Sequence, residues 1–320
     1  MTSDGKGITR FAGLVFSFCA AVLFPFGCSV RQAAVSGAAG AFSDEKALEV
    51  YSSDDDPELI RDAFPFGLKT YELLIAQDTD NRSLYLAAAA GFVQYAAAFL
   101  ADEADMLEDD DLDRAKALRR RAAKLYLRGS EYAIRGLELD HKEFRKKVHE
   151  DPGSALADME KEDVPLLFYA GAGWAGTIAS DPSNMSKIAE LQTAEAIMRK
   201  VLDLDETWGD GAVYEFFIAF DGGRSEAMGG SGERALGYYR RAVKLSEGKK
   251  ASPHVALAST VAVQQQDLET FRDLLGKALA VDVNEMKKWR LSNILAQRKA
   301  RWLLEKTADL FVEYEGAEHE

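Results

Sequence analysis

The stretch "SLYLAAAAGFVQYAAAFL", residues 83–100, decides the fold class of this 320-residue chain. Its larger apolar residues, among them Leu84, Phe92, Tyr95 and Phe99, recur at the spacing of one face of an α-helix, and they do not alternate as in a strand. Alanines fill most of the positions between them, so a neighbouring helix can approach closely. The same helical spacing continues from Asp44 onward. We therefore predict an all-α fold.

The ends of the predicted helices repeat a sequence pattern. The segments "GLELD" (136–140), "VLDLD" (201–205), "AVKLS" (242–246) and "ALAVD" (278–282) each close a helical block. Their separations approximate one or two copies of a unit of about 34 residues, the length of a tetratricopeptide (TPR) helix-turn-helix repeat. We therefore predict a TPR-like helix-turn-helix repeat array over residues 46–320, in which stacked helix pairs form a solenoid.

The N-terminal segment has the layout of an export signal. A basic start is followed by an apolar run at residues 11–26 and then by Gly27 and Cys28. The run is shorter than the roughly 20 residues of a spanning helix, although a short transmembrane anchor is an alternative. A small residue directly before Cys28 favours cleavage and lipidation of its thiol. We predict a lipoprotein signal at residues 1–27 and a lipidated, flexible tether at 28–45, rich in Ala, Gly and Ser.

Composition excludes several classes of function. The formal net charge of −14 disfavours binding to nucleic acid, whose affinity comes mostly from Lys and Arg. Cys28 would be the only cysteine after cleavage, which excludes disulfides and cysteine-rich zinc sites. The histidines, His141, His149, His254 and His319, are too scattered for a metal-binding motif. We predict no metal, no cofactor and no catalytic residue, so the chain is not expected to be an enzyme.

Two further motifs have a structural and a functional interpretation. "DEADMLEDDDLD" (102–113) lacks the glycine and the final glutamate of a calcium loop, and we interpret it as a solvated link between helices. Gly171, Gly173 and Gly176 follow the G-x-G-x-x-G order of a dinucleotide-binding turn. Because Pro165 is a signal for the first turn of a helix and no strand precedes it, we interpret these glycines as points of close helix packing.

Aromatic residues are the candidates for a ligand cavity. They cluster in three predicted helices, and most are expected to form a core between stacked helix pairs. Solenoids also bind ligands on concave faces lined by aromatic and small residues. The predicted cavity residues are Tyr95, Phe99, Phe168, Tyr169, Trp174, Tyr214 and Phe217.

Four segments together carry a family resemblance: residues 71–100, "VPLLFYAGAGWAG" (164–176), residues 229–279 and "LSNILAQRKARWLLEKTADLF" (291–311). The chain resembles the TPR-containing T components of tripartite ATP-independent periplasmic (TRAP) transporters, the TatT family of spirochaetal lipoproteins. The resemblance covers nearly the whole mature chain. The family offers no catalytic residue to carry over.

The resemblance implies a periplasmic, lipid-anchored homotrimer around a central pore. It also implies that the chain partners the solute-binding P component of the transporter and that a hydrophobic small molecule, an organic acid or a lipid-like solute, passes through a cleft. Which membrane leaflet holds the lipid stays open. The alternative is a generic TPR adaptor for cell-envelope assembly that binds a partner peptide and no small molecule.

Overall fold

The computed structural model describes residues 45–181 and 184–312, and these residues form helices and turns with no strand. The predicted all-α class is therefore confirmed. The signal, Cys28 and the tether as far as residue 44 lie outside the described residues. The helices are α1 (Glu45–Ser52), α2 (Pro57–Ile75), α3 (Arg82–Ala96), α4 (Asp102–Leu107), α5 (Leu112–Glu138), α6 (Phe144–Glu150), α7 (Pro152–Ala157), α8 (Val164–Ala179), α9 (Met185–Ile188), α10 (Leu191–Leu204), α11 (Ala212–Gly222), α12 (Gly232–Leu245), α13 (Ser252–Leu257), α14 (Leu268–Ala280), α15 (Arg290–Glu305) and α16 (Thr307–Leu310).

Side chains at the helix starts explain where several helices begin. The carboxylate of Asp56 accepts a hydrogen bond from the Leu59 backbone N–H at 2.9 Å, and Asp111 does the same for α5. The Asn81 side chain caps α3 in the same way. Such caps satisfy backbone donors that the helix itself leaves unpaired.

Consecutive helices pack against each other along the chain, which gives a solenoid-like array. The tightest part is the group α3, α5 and α8. Gly173 of α8 lies against the backbone of α5, where a Cβ atom would come within 2.8 Å of the Tyr126 carbonyl oxygen. At Gly171 and Gly176 a Cβ would come within 2.7 Å of Met198 and of the Tyr126 ring. The prediction of close helix packing at these glycines is confirmed.

The array curls until its last long helix meets its first two. Helix α15 packs against α1 and α2, and the guanidinium of Arg298 in α15 lies 3.0 Å from the Glu58 carboxylate in α2. After α15, the ammonium of Lys306 lies 3.0 Å from the Asp109 carboxylate. The two arms of the array therefore face each other across a central space.

The acidic stretch 102–113 differs from its predicted form. Residues 102–107 are helical and continue α3 through a π-helical turn at Ala97–Ala101, so only the turn before Asp111 is a link. The helical form follows from ion pairs that neutralise the carboxylates: Arg119 of α5 lies 2.6 Å from Glu108 and 3.2 Å from Asp105. The prediction of a solvated loop over the whole stretch was wrong.

One described helical run, Arg82–Leu107, is long and apolar enough by composition to cross a membrane, with a mean hydropathy of 1.6. Within the protein, however, 72% of the apolar 18-residue stretch in this run is buried. The run is surrounded by α2, α5 and α8, so its apolar character is explained by its place in the core.

Candidate functional site

The central space between the two arms is a cavity of about 930 Å³. Its N-terminal side comes from α1, α2, α3 and the following π-helical turn, and its C-terminal side from α11, α13 and α15. The volume lies in the range of small-molecule sites, roughly 300–1,000 Å³. The closure of α15 onto α2 therefore creates a compartment that neither arm has alone.

Small residues keep the cavity open on both sides. Ala87 and Ala90 of α3 line it from one arm, and Ala256 and Ala296 line it from the other. Larger side chains at these positions would fill the space. The alanine-rich sequence of α3 thus serves the cavity as well as helix packing.

Aromatic rings form the second part of the lining. The rings of Phe64 and Tyr95 are stacked with centroids 6.0 Å apart, and Tyr95 also contacts Phe99 at 5.5 Å. The Tyr169 hydroxyl accepts a hydrogen bond of 2.9 Å from the Gln94 side chain. Burial raises the pKa of Tyr169 to about 12, since it outweighs the opposing effect of Gln94, and the phenol stays neutral.

A polar network borders the cavity on the C-terminal arm. One oxygen of Glu215 lies 2.9 Å from the Lys250 ammonium, and the other accepts a 2.5 Å hydrogen bond from the Ser252 hydroxyl. The Lys250 ammonium also donates to the Gly209 carbonyl at 3.1 Å. These bonds satisfy a nearly buried lysine without a ligand.

Both arms contribute a π-helical turn to the cavity wall. Ala97–Ala101 supplies Phe99, and the turn Ala258–Ala262 after α13 supplies Ser259 and Thr260. A π-helical turn inserts one residue into a helix and is frequent at functional sites. Here each turn changes which side chains face the cavity.

Three of the seven predicted cavity residues line the cavity, and the other four are not among its lining residues. Tyr95, Phe99 and Tyr169 line the cavity. The Phe168 ring lies 4.7 Å from the Trp208 ring, and the Trp174 indole donates to Glu190 at 2.8 Å.

The remaining two predicted residues belong to α11. The Tyr214 hydroxyl donates to the Glu206 carboxylate, and Phe217 is fully buried between Phe216 and Tyr238. Neither residue is part of the cavity lining described above.

Sequence reasoning missed Phe64, Tyr71 and Tyr126, which also line the cavity. Phe64 and Tyr71 lie seven residues apart in α2, a signal for a shared helix face that the sequence does offer. Tyr126 lies within a basic stretch of α5, where the charged neighbours obscure its inward position.

Within residues 45–181 and 184–312, no group of three His, Cys, Asp or Glu side chains is placed to hold a metal ion. His254 is buried against the Tyr239 hydroxyl, 2.8 Å from its Nδ1. Burial, and then the nearby Lys277 ammonium, lower the pKa of His254 to about 4.

Comparison with known proteins fits this helical architecture. The model of the family "TRAP transporter T-component" matches residues 53–311, which include every helix from α2 to α16. The chain belongs to the TRAP transporter T-component family. It is also similar to an uncharacterized protein of Treponema pallidum (strain Nichols), 27% identical over 314 residues, or 93% of this chain and 97% of the relative.

T components are accessory components of a transport system, and membership indicates a periplasmic or membrane-associated location. The family match begins at residue 53 and so includes nearly all of the cavity lining, apart from the three residues of α1. The lining is thus part of the region that defines this T component.

Proposed function

We propose that this T component is a periplasmic, lipid-anchored homotrimer that holds an apolar small molecule in its cavity and docks the solute-binding P component of a TRAP importer. The cavity of about 930 Å³ carries the proposal. Its lining of alanines and aromatic rings suits an apolar ligand, because burying such a ligand removes apolar surface on both sides from water. Family membership supports the link to a TRAP transporter.

An exposed apolar stripe on α2 supports self-association. Leu59, Phe66 and Leu73 follow each other at seven-residue intervals and are 57%, 80% and 68% exposed. Exposed apolar stripes of this kind are typical of protein contact sites.

The apolar stripe of α2 gives a test of the homotrimer. Phe66→Glu places a charge in the centre of the stripe and is expected to shift the protein from trimer to monomer in light scattering after size-exclusion chromatography. Leu127→Glu on α5, which is 47% exposed and outside the stripe, is the matched control and should leave the mass unchanged. A trimer that survives Phe66→Glu excludes the stripe as the subunit contact.

The lipid anchor has a separate test. Cys28→Ser removes the thiol that we propose is lipidated, so the protein should move from the membrane fraction to the soluble fraction. Cys19→Ser, within the proposed signal, should leave it in the membrane fraction. Equal membrane retention in both variants would favour a transmembrane anchor.

Native mass spectrometry tests ligand binding, and titration with the purified P component tests docking. We expect the protein to carry a small molecule that is released on denaturation, and to form a complex with the P component of its own transporter. An empty protein that binds envelope-assembly proteins and no P component would favour the generic TPR adaptor.

A further inference from the structure

The lysines that line the cavity are already paired with carboxylates of the described chain. The Lys299 side chain of α15 is 21% exposed, and its ammonium lies 2.5 Å from the Asp102 carboxylate and 3.6 Å from Asp105. Two carboxylates from the N-terminal arm therefore surround one ammonium from the C-terminal arm. Asp105 also pairs with Arg119, which in turn holds Glu108, so three carboxylates share two cations beside the cavity.

The other lysine of the lining is paired as well. The Lys288 ammonium lies 2.8 Å from the Asp210 carboxylate and 4.5 Å from the centre of the Trp289 ring. Glu215, across the lining, is held by Lys250. Among the described lining residues, both lysines, Lys288 and Lys299, therefore have a carboxylate partner.

A carboxylate ligand would therefore enter the cavity without a free cation to meet it. Moving an ionised carboxylate from water into an apolar site is costly unless a cation or several donors compensate. Taking Lys299 from its partners would leave the Asp102 carboxylate without a cation, while Asp105 would keep Arg119. The loss of that pairing offsets what the ligand gains. An anion is disfavoured on both counts.

Neutral hydrogen-bonding groups are present instead. The Tyr95 and Tyr126 hydroxyls make no hydrogen bond to another residue of the described chain, and both residues line the cavity. The Tyr169 hydroxyl accepts from Gln94 and keeps its own proton to donate. Phenol groups of this kind can donate to and accept from a ligand hydroxyl.

The pKa of Tyr126 depends on the same carboxylates. Burial, followed by the Asp102 and Asp105 carboxylates, raises its pKa well above the ordinary tyrosine value. Burial alone would lower the pKa of the Lys299 ammonium, but Asp102 and Asp105 outweigh burial and hold it above its usual value. Negative charge at this end of the cavity therefore opposes a further anion.

We infer that the cavity selects uncharged amphiphiles, with an apolar body and a hydroxyl head group, and rejects carboxylates of the same length. The inference rests on the proposed ligand-binding function and names its substrate class. It predicts that organic acids are not the preferred ligands of this T component. The cavity disfavours carboxylates because the Lys299 ammonium is already paired with the protein's own carboxylates.

A chain-matched pair of ligands tests the inference. The full-length protein is placed in phosphatidylcholine nanodiscs at pH 7.5, and dodecan-1-ol and dodecanoate compete against the neutral fluorophore N-phenyl-1-naphthylamine, with empty nanodiscs as the blank. We expect dodecan-1-ol to displace the fluorophore at a concentration at least about tenfold lower than dodecanoate, in line with one lost charge pairing. Equal or stronger displacement by dodecanoate overturns the inference.

Asp102→Asn provides a gain of binding. It frees Lys299 from its nearest carboxylate, so the affinity for dodecanoate should rise about tenfold while that for dodecan-1-ol stays within about twofold. The matched control is Asp109→Asn, which removes a nearby carboxylate that pairs with Lys306, outside the lining. Asp105→Asn, at 3.6 Å from Lys299, is the second variant if Asp102→Asn does not fold.

The outcomes separate the two proposals. No gain for dodecanoate in either folded variant overturns the inference about charge and leaves ligand binding intact. Failure of the fluorophore and of both ligands to bind the wild-type protein overturns the proposed ligand-binding function and the inference with it.

Discussion

Replacing Gly173 with alanine adds one methyl group at the closest approach of α8 to α5. The new Cβ would lie 2.8 Å from the Tyr126 carbonyl oxygen, 3.0 Å from the Ser130 nitrogen and 3.0 Å from a Val93 methyl. Two of these three atoms belong to the backbone of α5, which cannot turn aside as a side chain can. The helices must therefore move apart.

One gain and two costs set the size of the change. Alanine in a helix interior is more favourable than glycine by about 1 kcal/mol. Overpacking in a closely packed core costs about 1–3 kcal/mol. Separation of α8 from α5 also stretches the 2.9 Å hydrogen bond from the Ser130 hydroxyl to the Ala170 carbonyl, worth about 1 kcal/mol. We expect a net loss of about 1–3 kcal/mol in the free energy of unfolding.

Gly237→Ala is the matched control, since Gly237 lies within α12 and a Cβ there meets nothing within 4 Å. It should raise the free energy of unfolding by about 0.5–1 kcal/mol. Urea unfolding followed by far-ultraviolet circular dichroism measures both variants. If Gly173→Ala stabilises the protein as much as Gly237→Ala does, the close approach of α8 to α5 is not present in solution.

Further predictions concern the aromatic residues and His254. Tyr95→Ala, which removes a stacked ring from the cavity wall, should weaken fluorophore binding by about tenfold. Trp174→Phe removes the indole bond to Glu190 outside the cavity lining, so it should lower the free energy of unfolding by about 1–2 kcal/mol and leave fluorophore binding unchanged; a loss of binding would contradict this. The fold lowers the pKa of His254 from 6.5 to about 4, so as the pH falls the unfolded chain takes up a proton on this histidine before the folded protein does. The contribution of neutral His254 to the free energy of unfolding is therefore fully present above pH 6.5, and at most about 3 kcal/mol of it is lost as the pH falls toward 4. In urea unfolding at several pH values, His254→Gln should remove that part of the slope, and an unchanged slope would place its origin elsewhere.

The helical class and the glycine contacts could be predicted from sequence because both depend on local spacing. Helical periodicity fixed the class, and Pro165 marked the start of the helix that contains Gly171 and Gly173. The helical form of residues 102–107 was missed, because it depends on pairing with Arg119, which lies beyond the turn.

The cavity itself could not be located from the sequence. It exists because α15 returns to α2, and that closure depends on the summed crossing angles of all the helices between them. The predicted aromatic residues of α8 illustrate the limit. This helix is apolar on almost all sides, so periodicity does not tell the cavity side, where Tyr169 lies, from the side of Trp174.

The most direct test of the central cavity is to fill it from the closing helix. Ala296→Trp places an indole into the space from α15, and Ala280→Trp, at the exposed end of α14, is the matched control. We expect Ala296→Trp to abolish binding of N-phenyl-1-naphthylamine and of any small molecule that copurifies, while Ala280→Trp binds as the wild type does. Undiminished binding in a folded Ala296→Trp protein would contradict a ligand site between the two arms.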